Sequence, residues 1–259
     1  MLFASGKRPA HSAIREFFKG HGRTSISNDP FPDGPLQLAQ PGKRDPQATP
    51  VDMRTGDNRL STELLCDGLT FDLHGLAPGA KSAVPDVDHM FDMTERPGAL
   101  RLEALQLLPG RHIKGAAHTM PVARCMIELA RDFVRQFDDL TAVIWEPSSS
   151  AIGRRFFESI ATAWLDGGAF PAPGLVAFRD TRDGAVQSVG LDFWTGQELR
   201  IEEPLSNDTA EAGRLGVRII NRLVPLGGLD TSERMVGLDG NILMLRPSRN
   251  GRYVRVTRE

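Results

Sequence analysis

The sequence predicts an α+β fold, a mixed and mainly antiparallel sheet with about three helices packed on it. Three observations lead there. Apolar residues recur at helical spacing in three stretches, near 120–137, 152–164 and 208–224. Short runs of period-two or continuous apolar character lie between them, bounded by Pro-Gly, Asp-Gly and Asn-Gly turns. The order is strands, helix, strand, helix, strand meander, helix and hairpin, which is not the regular alternation that builds a doubly wound parallel sheet.

Taken in order, residues 1–60 are rich in Gly, Pro, Ser, Asp and Arg and poor in periodicity. They are expected to form a largely disordered, basic N-terminal arm, because such a composition buries too little apolar surface to offset ordering entropy. One short helix is expected within it, His11–Lys19, with Ile14, Phe17 and Phe18 on its apolar side. Residues 61–259 are read as one domain. Leu69, Phe71 and Leu73 alternate with Thr70 and Asp72 as a strand, and a second strand is expected over Leu100–Leu108, closed by Pro109-Gly110. Met120–Phe137 is an amphipathic helix with Ala123, Met126, Ile127, Ala130, Phe133, Val134 and Phe137 on one face. Leu140–Trp145 is a buried strand stopped by Pro147 and three serines, and a second helix follows with Ile152, Phe156, Ile160 and Trp164 inward.

Beyond Gly167-Gly168, a strand at Leu175–Phe178 turns at Asp183-Gly184 into Val186–Phe193, and Glu198–Glu202 continues the meander. Asp208 and Glu211 have capping-box spacing for a helix running to about Val224, which Pro225, Gly227 and Gly228 close. Asn241–Leu245 and Tyr253–Thr257 form a terminal hairpin around Asn250-Gly251.

Composition narrows the classes of function. Of 259 residues, 40% are apolar, enough for a core, and 31 basic against 33 acidic side chains leave a net charge of −2. That balance gives no reason to expect nucleic acid or an anionic membrane as partner, and no apolar run approaches a membrane span. The two cysteines, Cys66 and Cys125, are far apart, which speaks against a disulfide framework and for a reducing, cytoplasmic setting.

The corner Glu146–Arg155 is the main candidate for ligand chemistry. If a helix begins there, its free N–H groups, the hydroxyls of Ser148, Ser149 and Ser150 and the guanidinium groups of Arg154 and Arg155 can hold an anion. The plainer reading is a serine cap with solvent-facing arginines. His118, just before a helix, is a weak candidate acid or base. Asp86, Asp88 and His89 with His112 or His118 match no metal-ligand spacing, so no metal and no cofactor is expected. Cys125 falls beside the apolar stripe of its helix and reads as a buried thiol.

The stretch Val189-Gly190-Leu191-Asp192-Phe193-Trp194-Thr195-Gly196-Gln197-Glu198-Leu199-Arg200-Ile201 resembles an uncharacterised bacterial domain-of-unknown-function family. Its Gly-Leu-x-x-aromatic and Glu-Leu/Ile-x-Ile/Val pattern carries the likeness. His118 before the first long helix, Ala142–Trp145 in the next strand and Ser206–Ala210 opening the last helix agree in order, so the resemblance covers about residues 100–257. Arg200 stands where that family tends to be acidic, and Leu229–Gly240 lacks its usual glycine-rich hairpin. The resemblance implies a bacterial, soluble α+β domain and no particular reaction. The expected function is therefore a non-enzymatic binding or interaction domain, regulatory or immunity-type, with another protein as partner. The alternative is a small hydrolase or anion-ligand enzyme using Ser148–Arg155 with His118. A third reading has the basic arm presented to a partner.

Overall fold

The fold was read from a computed structural model, which describes residues 1–30, 61–237 and 239–259. It is α+β, with three sheets, mostly antiparallel. The first is five-stranded and contains β1 (Leu2–Ala4), β5 (His89–Phe91), β6 (Leu102–Ala104), β8 (Leu140–Trp145) and β9 (Ser150–Gly153), in the order β5-β9-β8-β1-β6. The second is four-stranded and runs β2 (Thr24–Asn28), β3 (Thr62–Cys66), β4 (Leu69–His74), β7 (Gln106–Pro109). The third has six strands, β10 (Ala177–Asp180), β11 (Val186–Val189), β12 (Glu198–Ile201), β13 (Glu233–Val236), β14 (Ile242–Pro247) and β15 (Tyr253–Arg258), in the order β10-β11-β12-β15-β14-β13. Only β5/β9 and β12/β15 pair in parallel among the described strands.

Among the described residues, four helices of two turns or more pack on these sheets: α1 (His11–Lys19), α2 (Met120–Gln136), α3 (Arg154–Leu165) and α6 (Thr209–Leu226). Two single turns, α4 (Ala172–Leu175) and α5 (Asp192–Thr195), make corners between them. Helix α6 begins as its capping box requires, with the Asp208 carboxylate accepting from the Glu211 N–H at 2.9 Å, and ends at Gly227. The apolar faces of α2 and α6 meet one continuous core that extends from Phe3 and Ile14 to Val254 and Val256.

Residues 1–30 are built into this core, contrary to the reading of residues 1–60 as one arm. Leu2, Phe3 and Ile14 are wholly buried, and α1 spans the predicted His11–Lys19. Strand β1 is central, pairing with β6 through Leu2↔Ala104 and with β8 through Leu2↔Ala142. A few apolar residues suffice because their partners lie 100 to 140 positions along the chain, where no local pattern reveals them. Residues 31–60 lie outside the described residues, so the expectation there is not addressed.

Two further differences follow from bends. The strand expected over Leu100–Leu108 is two strands in different sheets, β6 and β7, divided at the buried Leu105, whose N–H donates to the Met1 carbonyl at 2.9 Å. The helix expected to start among the serines starts at Arg154 instead. Ser149 turns the chain with φ 48°, and Ser150–Gly153 pairs back on β8. Gly153 fits because a Cβ there would lie 2.3 Å from the Asp92 carbonyl oxygen.

Candidate functional site

The predicted corner is an internal structural joint. Ser148 and Ser150 are wholly buried. The Ser148 hydroxyl donates to Ser150 Oγ at 2.8 Å and lies 3.3 Å from the Gly174 carbonyl, and Ser150 Oγ donates to the Ser148 carbonyl at 3.1 Å. The Ser149 carbonyl accepts from the N–H groups of Asp88 and His89 at 2.9 and 3.1 Å, which docks β5. Arg154 binds Asp138, through its carbonyl at 2.6 Å and its carboxylate at 2.8 Å, while Arg155 is exposed. Since β9 intervenes, the serines do not form a helix N-terminus, which removes the physical basis for an anion cradle there. His118 lines a cavity to which residues 148–155 do not contribute. The expected set is therefore not brought together. Among the described residues no group of three or more His, Cys, Asp or Glu side chains is arranged to hold a metal ion. Cys66 and Cys125 are buried and unbridged, with Cys125 Sγ 3.7 Å from the Cys66 carbonyl.

What the fold does assemble is an aromatic groove. All three tryptophans of the chain meet in one cluster. Trp194 of α5 stacks on Trp145 of β8 at 5.7 Å and 23°, and its ring meets Trp164 of α3 at 6.1 Å and Phe170 at 4.9 Å, both edge-to-face. Outward from Trp164 and Trp194 the surface recedes into a groove of about 810 Å³, bounded by the start of α2 and the end of α6. Met120 and Leu226 stand on it, 37% and 61% exposed.

The polar groups of the groove are few and placed by helix ends. The Arg124 guanidinium sits 5.2 Å from the Trp164 ring centre and donates to the Leu165 carbonyl at 2.5 Å, a cation set at the C-terminus of α3. Trp194 is 8% exposed, and its indole N–H finds no hydrogen-bond partner among the described residues. Asn221 of α6 donates through its amide nitrogen to the Val217 carbonyl at 2.9 Å, and its Oδ1 is likewise buried and unpartnered among the described residues. Pro225 lies one turn on and has no N–H, so the Asn221 carbonyl also loses its intrahelical donor. Gln197 fixes this wall: its amide pairs with Leu229 in both directions, at 3.0 and 2.8 Å. Besides Arg124, Trp194 and Asn221, His118 and Thr119 are the other polar side chains on the groove, between apolar flanks.

The corner between β11 and α5 is held by a residue that sequence reasoning missed, at the start of β12. Glu198 accepts from the N–H groups of Gly190 at 2.8 Å and Leu191 at 3.4 Å, and from the Ser188 hydroxyl. Burial pushes its carboxyl up to about 7 against the hydrogen bonds from Ser188 and Gly190, with Asp192 adding like charge. Gly190 has φ 87°, and a Cβ there would stand 2.8 Å from the Pro147 and Ser148 backbone, so this corner is held against the serine joint. The available signal was the Gly-Leu to Glu-Leu spacing of the resembling motif. Among the described residues no helix is long and apolar enough to cross a membrane. Comparison with protein-family models, with curated proteins and with solved structures gives no match to this chain.

Proposed function

We propose that this protein is a non-enzymatic binding domain, regulatory or immunity-type, that takes an extended segment of a protein partner into the groove between α2 and α6. The observation that carries this reading is one groove in which the exposed Met120 and Leu226 flank Trp164, Trp194 and the Arg124 guanidinium. An apolar side chain on that segment would cover Met120 and Leu226, and aromatic anchors with an arginine are the residue types that dominate protein interfaces. The same reading makes the protein bacterial and cytoplasmic. The anion-ligand alternative has no assembled groups behind it.

The test is selection of a random peptide display library on the full chain, followed by binding measurements with Met120→Lys, Leu226→Lys and Trp194→Phe. The first two change exposed side chains and leave the fold intact. Enriched peptides with an apolar residue should lose at least tenfold in affinity with either lysine variant, and Trp194→Phe should weaken them further. Peptides that bind all variants equally, or a library that yields none, would overturn the reading.

A further inference from the structure

Side chains alternate across a β-strand, so residues paired in register on neighbouring strands share a face. In the six-stranded sheet Leu199, Ile201, Val254, Val256 and Leu245 form the buried face, and α6 packs on it, with Gly216 against Phe178 and Ile201. The positions between them make up the opposite face, and there the registers line up arginines. Arg255 of β15 stands between Arg200 of β12 and Arg246 of β14, and beyond Arg200 the row continues through Gln187 of β11 to Arg179 of β10.

Like charges directly opposite one another weaken a sheet, and this row is only partly neutralised. Asp183 and Glu202 hold Arg200, the latter at 2.9 Å, and Glu202 lies 3.6 Å from Arg255. Arg179 and Arg246 are exposed and make no ion pair among the described residues. The turn between β14 and β15 adds the exposed Arg249 and Arg252, and no acidic residue occurs from Arg246 to Arg258. At the far edge of the same face Val236 and Ile242 pair across β13 and β14, 56% and 49% exposed.

A row of guanidinium groups takes carboxylates or phosphates. Two features favour a protein. Arg200 and Arg255 already seat carboxylates, and the Val236–Ile242 pair calls for an apolar side chain, which a phosphodiester backbone lacks. Bases would need aromatic platforms, and Tyr253 is the single aromatic residue among the strand positions of this face. We infer that this face is a docking surface for an acidic segment of a protein partner, whose carboxylates neutralise Arg179, Arg246 and Arg255 and whose apolar side chains cover Val236 and Ile242. It shares no residue with the groove between α2 and α6 and does not depend on the occupant of that groove.

Six strands span about 24 Å, roughly seven extended residues, so the probe is a labelled peptide of about twelve residues, glutamate with every third residue leucine. It is titrated into the full chain at moderate salt and followed by fluorescence anisotropy, beside an oligouridylate of equal charge. Arg246→Glu should cost the peptide at least tenfold in affinity, and Arg179→Glu and Ile242→Ser at least threefold each. Arg246→Glu also sets a carboxylate opposite Arg255, so it should raise the thermal midpoint while it lowers affinity. Arg218→Glu makes the same charge change at an exposed position of α6, across the sheet, and should alter affinity less than twofold. No binding of the peptide, an equal loss with Arg218→Glu, oligouridylate binding as tightly as the peptide, or a lowered midpoint for Arg246→Glu would overturn the inference.

Discussion

Replacing Glu198 by Gln should stabilise the protein in mildly alkaline solution and do so progressively less as the pH falls. A glutamate carboxyl with an ordinary value near 4.5 titrates at about 7 in the fold, because burial costs the charged form more than the bonds from Ser188 and Gly190 return. The sign follows from proton counting. Between pH 4.5 and 7 the native state holds a proton that the unfolded chain has released, so stability falls as pH rises through that window. Above pH 7 the carboxylate is ionised in both states, and its burial costs the fold roughly 3 kcal/mol. Glutamine presents a carbonyl to the Gly190 N–H and an amide that Ser188 Oγ can accept from, without the charge. Glu198→Gln should therefore gain as much as about 2–3 kcal/mol at pH 8.5, and little or nothing at pH 4.5. Urea melts from pH 4.5 to 8.5 would measure this, the midpoint reporting stability and the slope confirming that both proteins unfold alike. A variant less stable than the parent by the same margin at every pH would refute the reasoning. It would mean that the carboxylate stays ionised and acts as a charged cap for Gly190 and Leu191.

Three further perturbations test the fold where it positions the groove. Phe3→Ala, on an interior strand of the five-stranded sheet, should cost about 3–5 kcal/mol in a denaturant melt, whereas a side chain on a loose tail would cost nothing. Asp208→Ala should cost about 1 kcal/mol by the same measurement, with Asp208→Ser nearly neutral. Gly190→Ala combines a positive φ with a Cβ 2.8 Å from the Pro147 backbone; it should lower the thermal midpoint by several degrees, and an unchanged midpoint would show that the corner yields freely.

The elements with local signals were legible. Helices α2 and α6 follow from apolar spacing and from the Asp208–Glu211 box, and the β10–β11 hairpin from Asp183-Gly184, because these depend on residues within a few positions of one another. What stayed hidden depends on distance along the chain. Leu2 and Phe3 are too short a run to announce a strand until Ala104 and Ala142 arrive beside them. Leu105 is one leucine among Leu102, Leu107 and Leu108, so nothing marks it as the bend between two sheets. The serine corner looked like a helix start because serines cap helices, and only the pairing of Ser150–Gly153 with β8 excludes that role. The groove was missed for a related reason. Trp164 reads as an inward position of its helix, nothing local marks Trp194 or Asn221, and the three share one groove only once three separate helices have converged.

The place of β1 has a consequence for how the protein comes into being. During synthesis Leu2–Ala4 emerges long before both strands that must flank it, β6 about 100 residues on and β8 about 140. The five-stranded sheet thus cannot be completed while the ribosome is still short of Trp145, and its nucleation has to close a very long loop. Until then Leu2, Phe3 and the apolar side of α1 have no permanent shelter. A nascent chain stalled before β8 should be a good chaperone client, and one stalled well beyond it a poor one.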